Sequence, residues 1–131
     1  MSSPPNSLGV HDGKLAPCPS SANCVSTQAE DEAHRMEPWK FTGTVSEAIQ
    51  RLKSILAQQP RMRIVSETDN YLHAEATSLI FRFVDDIEFY LDEANGVIQF
   101  RSASRVGYSD LGVNRSRMER LKAAWNRGNS P

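Results

Sequence analysis

The chain has 131 residues, 39% apolar and 24% charged, with a formal net charge of -1 at pH 7. That length fits one domain able to bury a core without metal or disulfide staples, and the near-neutral balance argues against a nucleic-acid-binding or membrane-surface protein. No apolar run approaches a membrane span, and the opening MSSPPNSLGV lacks the basic and apolar parts of a signal peptide, so a cytoplasmic chain is the default expectation, an export or organellar signal ahead of these residues aside.

Residues 1–36 are rich in Ser, Pro, Asn and Ala and show no apolar periodicity. They read as an extended, irregular arm, with 37–131 as a single α+β domain. The arm holds Cys18 and Cys24 in "CPSSANC", a turn short enough to bring two sulfurs together. Three readings stand for the pair. One is a disulfide contributing at most about 2–3 kcal/mol. Another is two reduced thiols, the cytosolic default. The third is a metal shared with His11 and His34, although these spacings miss the usual zinc pattern. No metal and no cofactor is assigned.

Thr44 followed by Glu47 forms a capping box, and Val45, Ala48, Ile49, Leu52, Ile55 and Leu56 repeat at helical spacing until Pro60. RMRIVSE and YLHAEAT around Thr68–Asn70 read as a hairpin. Leu79, Phe81 and Phe83 alternate with Ile80, Arg82 and Val84, and Ile87, Phe89 and Leu91 continue the same odd-numbered phase. An unbroken strand through both would put Asp85 on the apolar face. Since an unpaired buried charge is costly, either a bulge at Asp85–Asp86 turns it outward or an arginine meets it. Asn95–Gly96 signals a tight turn, and Val97–Arg101 pairs back. Asn114 is a good N-cap for a last helix in which Met118, Leu121 and Trp125 share a face. The expected fold is a two-layer α+β arrangement. It has an antiparallel sheet of four or more strands, an N-terminal and a C-terminal helix on one face, and the arm preceding them.

Charge is unevenly placed. Between Val65 and Asn95 the acids Glu67, Asp69, Glu75, Asp85, Asp86, Glu88, Asp92 and Glu93 stand against Arg82 alone. From Arg101 onward Arg101, Arg105, Arg115, Arg117, Arg120, Lys122 and Arg127 stand against Asp110 and Glu119. Mutual neutralisation within the fold is the simplest outcome. The alternative leaves arginines of "RSASRVGYSDLGVNRSR" free for an anion near the helix start at Asn114.

The stretches "LAPCPSSANCVST", "EATS", "FVDDIEF" and "RSASRVGYSDLGVNRSRMERL" resemble, in that order, the signature segments of the domain of unknown function 1499 family. His34 followed by Pro38 is similar to that family's link after the cysteine segment. The resemblance spans about Leu15 to Leu121. It implies segment boundaries, and no reaction, cofactor or catalytic residue.

The function expected is a soluble binding or accessory module with a polar site built from Arg101, Arg105, Tyr108, Arg115 and Arg117 together with Asp85, Asp86 and Glu88. Its ligand would be an anionic small molecule or an acidic segment of a protein partner, with no nucleic acid. The alternative is a small enzyme using Asp85, Asp86 and Glu88 with Tyr108 as acid–base groups. Ser102, Ser104 and Ser109 would need a base, and only His11, His34 and His73 exist; no nucleophile elbow, phosphate loop or zinc-protease motif occurs. An assembly factor docking through an apolar or basic surface is a third possibility. In the purely structural account, the same polar residues pin the crossing from the last strand to the last helix.

Overall fold

The structure is a computed structural model that describes residues 4–21, 23–80, 82–106 and 112–128. In chain order the elements are β1 (Cys24–Ser26), β2 (Trp39–Lys40), α1 (Val45–Ala57), β3 (Met62–Thr68), β4 (Tyr71–Thr77), β5 (Val84–Asp92), β6 (Val97–Ser104) and α2 (Val113–Gly128). The strands form one sheet in the order β1-β6-β5-β4-β3, and β2 also pairs with β6. All of these strand pairs are antiparallel. No helix among the described residues is long and apolar enough to cross a membrane.

The capping box starts α1 as expected. Thr44 Oγ1 accepts from the Glu47 N–H (3.0 Å), and Glu47 Oε1 accepts from the Thr44 N–H (2.9 Å). The apolar stripe Ala48, Ile49, Leu52 and Leu56 is buried. It joins Met118, Leu121 and Trp125 of α2 and one face of the sheet in a single core. That face is set by strand alternation: Leu72, Ala74 and Ala76 on β4, Ile87, Phe89 and Leu91 on β5, and Ile98 and Phe100 on β6. Trp39 packs at its centre, with its ring centroid 5.2 Å from Phe100 and 5.8 Å from Phe89.

Several expectations need correction. Leu79, Ile80, Arg82 and Phe83 do not lie in a strand. β5 starts at Val84, and Ser78 and Phe83 are bonded to each other, the Phe83 N–H donating to Ser78 Oγ (2.8 Å) and the Ser78 N–H donating to the Phe83 carbonyl (2.9 Å). Alternation alone does not make a strand where no partner strand continues. Phe81 lies outside the described residues. β6 runs on to Ser104, past Arg101. α2 begins at Val113, so Asn114 sits inside its first turn with a fully buried side chain and is not the cap. Within the stretch expected to be irregular, Cys24–Ser26 pairs with Ala103, Ser102 and Arg101 as β1.

Candidate functional site

β5 runs in unbroken register against β4 from Val84 to Tyr90 and against β6 from Asp85 to Asp92, with no bulge at Asp85–Asp86. Alternation therefore sends Asp85 to the core face and Asp86 and Glu88 to the opposite face. The dilemma over Asp85 is resolved by an arginine. Arg117 Nη2 lies 2.7 Å from Asp85 Oδ2, with both side chains largely buried. Asn114 Oδ1 accepts from Ser102 Oγ (2.6 Å) and from Arg117 Nη1 (2.9 Å), and its amide donates to Ser104 Oγ (3.1 Å) and the Asn23 carbonyl (3.2 Å). This cluster ties α2 to β6 and to the arm.

On the opposite face Arg105 grips Asp86 with both ends of its fork, Nε to Oδ2 and Nη2 to Oδ1, each 2.8 Å, and reaches Glu75 at 2.6 Å. His73 Nε2 is 2.8 Å from Asp86 Oδ1. Burial pushes the Asp86 carboxyl up, but the hydrogen bonds and positive charge of Arg105 and His73 outweigh it and hold the group below the usual carboxylate range. The bond to Asp86 likewise lifts Arg105 above an ordinary guanidinium.

Beside this cluster, Glu88 is 0% exposed and stands directly across from Arg101. Glu88 Oε2 accepts from the Tyr71 hydroxyl (2.6 Å) and the Gly9 N–H (2.7 Å). Burial, and then the bond to Glu88, raise the Tyr71 phenol far above its ordinary value and keep it protonated. Arg101 Nη2 donates to the Pro17 carbonyl (3.3 Å), so the arm crosses this face and touches both partners. Arg101 Nη1 is 3.9 Å from Glu88 Oε1. Glu88 Oε1 and Arg101 Nε are buried and have no hydrogen-bond partner among the described residues. Burial draws Arg101 below its ordinary value, against the pull of Glu88.

The arm is fastened over this face. Cys18 and Cys24 are joined as a disulfide with α-carbons 5.7 Å apart, which removes both sulfurs as metal ligands. Arg115, on α2, donates to the arm carbonyls of Ala33 (3.0 Å) and Arg35 (3.2 Å).

A family model described as "Protein of unknown function (DUF1499)" matches residues 14–124. The chain belongs to that family. The comparisons with curated proteins and with solved structures found no significant match.

Among the described residues, the sequence-selected side chains of this DUF1499 chain fall into three groups. Asp86, Glu88, Arg101 and Arg105 share the face under the arm, Asp85 and Arg117 share the core face, and Arg115 faces the arm's backbone. Tyr108, Ser109 and Asp110 lie outside the described residues. Sequence reasoning missed Tyr71, His73 and Glu75 as members of the cluster. Their signal was the alternation of YLHAEAT, which becomes informative once β4 is paired with β5 and His73 faces Glu88. His73, Glu75 and Asp86 can bring ligand atoms within 4.8 Å of one another. Arg105 engages both of those carboxylates, so a cation there would have to displace a guanidinium.

Proposed function

We propose that this chain is a binding module whose ligand site is the sheet face under the arm, centred on Glu88 and Arg101 and walled by Tyr71, His73, Asp86 and Arg105. In this reading the helices cover one face of the sheet, and the part of the arm holding Gly9 and Pro17 covers Glu88 and Arg101 on the other. The observation that carries it is the pair of buried, unpartnered atoms of opposite character, Glu88 Oε1 and Arg101 Nε. Each such atom costs about 1–3 kcal/mol or more. One ligand group that both donates and accepts would satisfy the two together. Of the arginines expected to serve an anion, Arg105 and Arg117 meet carboxylates and Arg115 meets carbonyls. Arg101 also meets a carboxylate and a carbonyl, but its buried Nε lacks a hydrogen-bond partner among the described residues, which makes it the proposed anion contact, and its ion pair with Glu88 favours a hydroxy acid, amide or zwitterion over bare phosphate. Entry requires the arm to lift from Glu88 and Arg101. An enzyme using Asp85, Asp86, Glu88 and Tyr108 has less support, because Asp85 faces the core and Asp86 is held in its charged form. The disulfide supports an oxidising compartment in place of the cytoplasmic default.

A thermal-shift screen of hydroxy acids, amides and amino acids, with inorganic phosphate alongside, tests the site. A true ligand at a hundredfold excess over its Kd adds about 2.7 kcal/mol of stability. The hit should vanish in folded Glu88→Gln and Arg101→Lys variants. Equal responses in parent and variants would sink the proposal.

A further inference from the structure

Five large apolar side chains are exposed among the described residues, and four of them gather at one end of the sheet. Leu79 (67% exposed), Ile80 (79%) and Phe83 (42%) occupy the β4–β5 turn, and Val113 opens α2. The register fixes their shared location: Thr77 pairs with Val84, Asp85 with Ser104, and Asp85 meets Arg117 in the first turns of α2. Scattered exposed apolar residues need no explanation, but a cluster does.

Arginines surround this tip. Arg61, whose carbonyl accepts from the Thr77 N–H (2.9 Å), Arg63 and Arg82 are all exposed. Among the described residues the carboxylates at this end are already engaged, Glu75 by Arg63 and Arg105, Asp86 by Arg105, and Asp85 by Arg117. Exposed acids sit at the other end of the strands, Glu67 and Asp69 near the β3–β4 turn and Glu93 in the β5–β6 turn. The two ends are separated by a strand length, roughly 25 Å. Physiological salt screens charges over about 8 Å. The near-neutral total therefore conceals an apolar, basic end, and the distant acids do not cancel it.

We propose that this end docks on an anionic lipid bilayer, with Leu79 and Ile80 entering the headgroup boundary and Arg61 and Arg82 meeting lipid phosphates. Charge complementarity selects the occupant. A bilayer yields around an apolar turn and supplies a continuous negative surface, whereas a protein partner would need a cavity shaped to the turn. This revises the expectation, drawn from net charge alone, that the chain is no membrane-surface protein.

Co-sedimentation of the full chain with vesicles decides it, comparing phosphatidylcholine alone with phosphatidylcholine plus phosphatidylserine. The chain is expected to pellet with the phosphatidylserine vesicles only, and less at high salt. Arg61→Ser and Arg82→Ser should each lower the partition coefficient about fivefold. Leu79→Ser/Ile80→Ser should lower it roughly tenfold or more. That pair is exposed, so its melting temperature should match the parent's. Failure to pellet, or equal pelleting of the parent and the Leu79→Ser/Ile80→Ser variant, overturns the proposal. So does a concentration-dependent dimer abolished by the same variant without vesicle binding, which would make a second copy the occupant.

Discussion

Asp85 and Asp86 are neighbours in the chain but project from opposite sides of β5, so each is neutralised by a different arginine and each makes a different prediction. Arg117 is the ion-pair partner of Asp85 on the core face. Truncating Arg117 to Ala leaves a buried carboxylate uncompensated and should cost about 3–5 kcal/mol in urea unfolding. Replacing the pair by Asp85→Asn/Arg117→Met should recover much of that loss. A single variant as stable as the parent would mean that Asp85 is not truly desolvated. Asp86 is predicted to show its role through pH. Its folded-state carboxyl is held low, despite burial, by Arg105 and His73. A depressed carboxyl contributes stability that is present above the unfolded value, about 3.9, and is lost as pH falls through the folded value. The melting-temperature gap between the parent and Asp86→Asn should therefore be full at neutral pH and close as pH drops below about 4. A gap that stays constant down to pH 3 would remove Asp86 as an acid-sensitive group.

The elements legible in the sequence are those whose signals are local. The capping box and 3.6-residue stripe fix α1, and the even spacing of Ile87, Phe89 and Leu91 fixes the phase of β5. β1 was not legible, because three residues inside a Pro- and Ser-rich arm carry no period and their pairing depends on β6, far along the chain. The same non-locality hid the candidate site. Its cover comes from Gly9 and Pro17, and its centre from strands more than 70 residues later. Two measurements test how the arm is held. Removing the disulfide as Cys18→Ser/Cys24→Ser should cost about 2–3 kcal/mol. It should also speed amide exchange in residues 9–18 more than in β5, and uniform change along the chain would contradict a local tether. The second concerns His34, whose Nε2 faces the Ser21 carbonyl (2.7 Å) and whose Nδ1 faces Asp31 (2.5 Å). Both ring nitrogens meet acceptors, so the imidazolium is the form that fits. The Ser21 and Asp31 bonds raise the group above 6.5 even though burial and Arg115 oppose them. Its contribution is complete below about 6.5 and is lost as pH rises through the folded value. An NMR titration of His34 should give a midpoint above 6.5 that falls in Asp31→Asn, and a midpoint at or below 6.5 in the parent would exclude the charged form.

At the scale of the whole molecule the sheet acts as a partition. One side carries the apolar core with a polar insert at Asp85, Asn114 and Arg117, and the other carries the linked groups Glu75, His73, Asp86 and Arg105 beside Tyr71, Glu88 and Arg101. A single catalytic or binding constellation drawing on Asp85 and Asp86 together would couple them strongly, since groups in one network deviate from additivity by about 0.5–3 kcal/mol. Two networks separated by the strand, whose ion pairs among the described residues have no member in common, should add instead. Asp85→Asn and Asp86→Asn, though adjacent in sequence, are therefore expected to sum within about 0.5 kcal/mol when combined, whereas Asp86→Asn and Arg105→Lys should depart from their sum by more than that. Urea unfolding of the parent, the three single variants and the two pairs supplies the comparison. Strong coupling between Asp85 and Asp86 would show that charge on one face is felt on the other and would reunite the residues that the fold divides. Additivity would leave the face under the arm as the place where Glu88 and Arg101 can be altered without disturbing the α2 anchor.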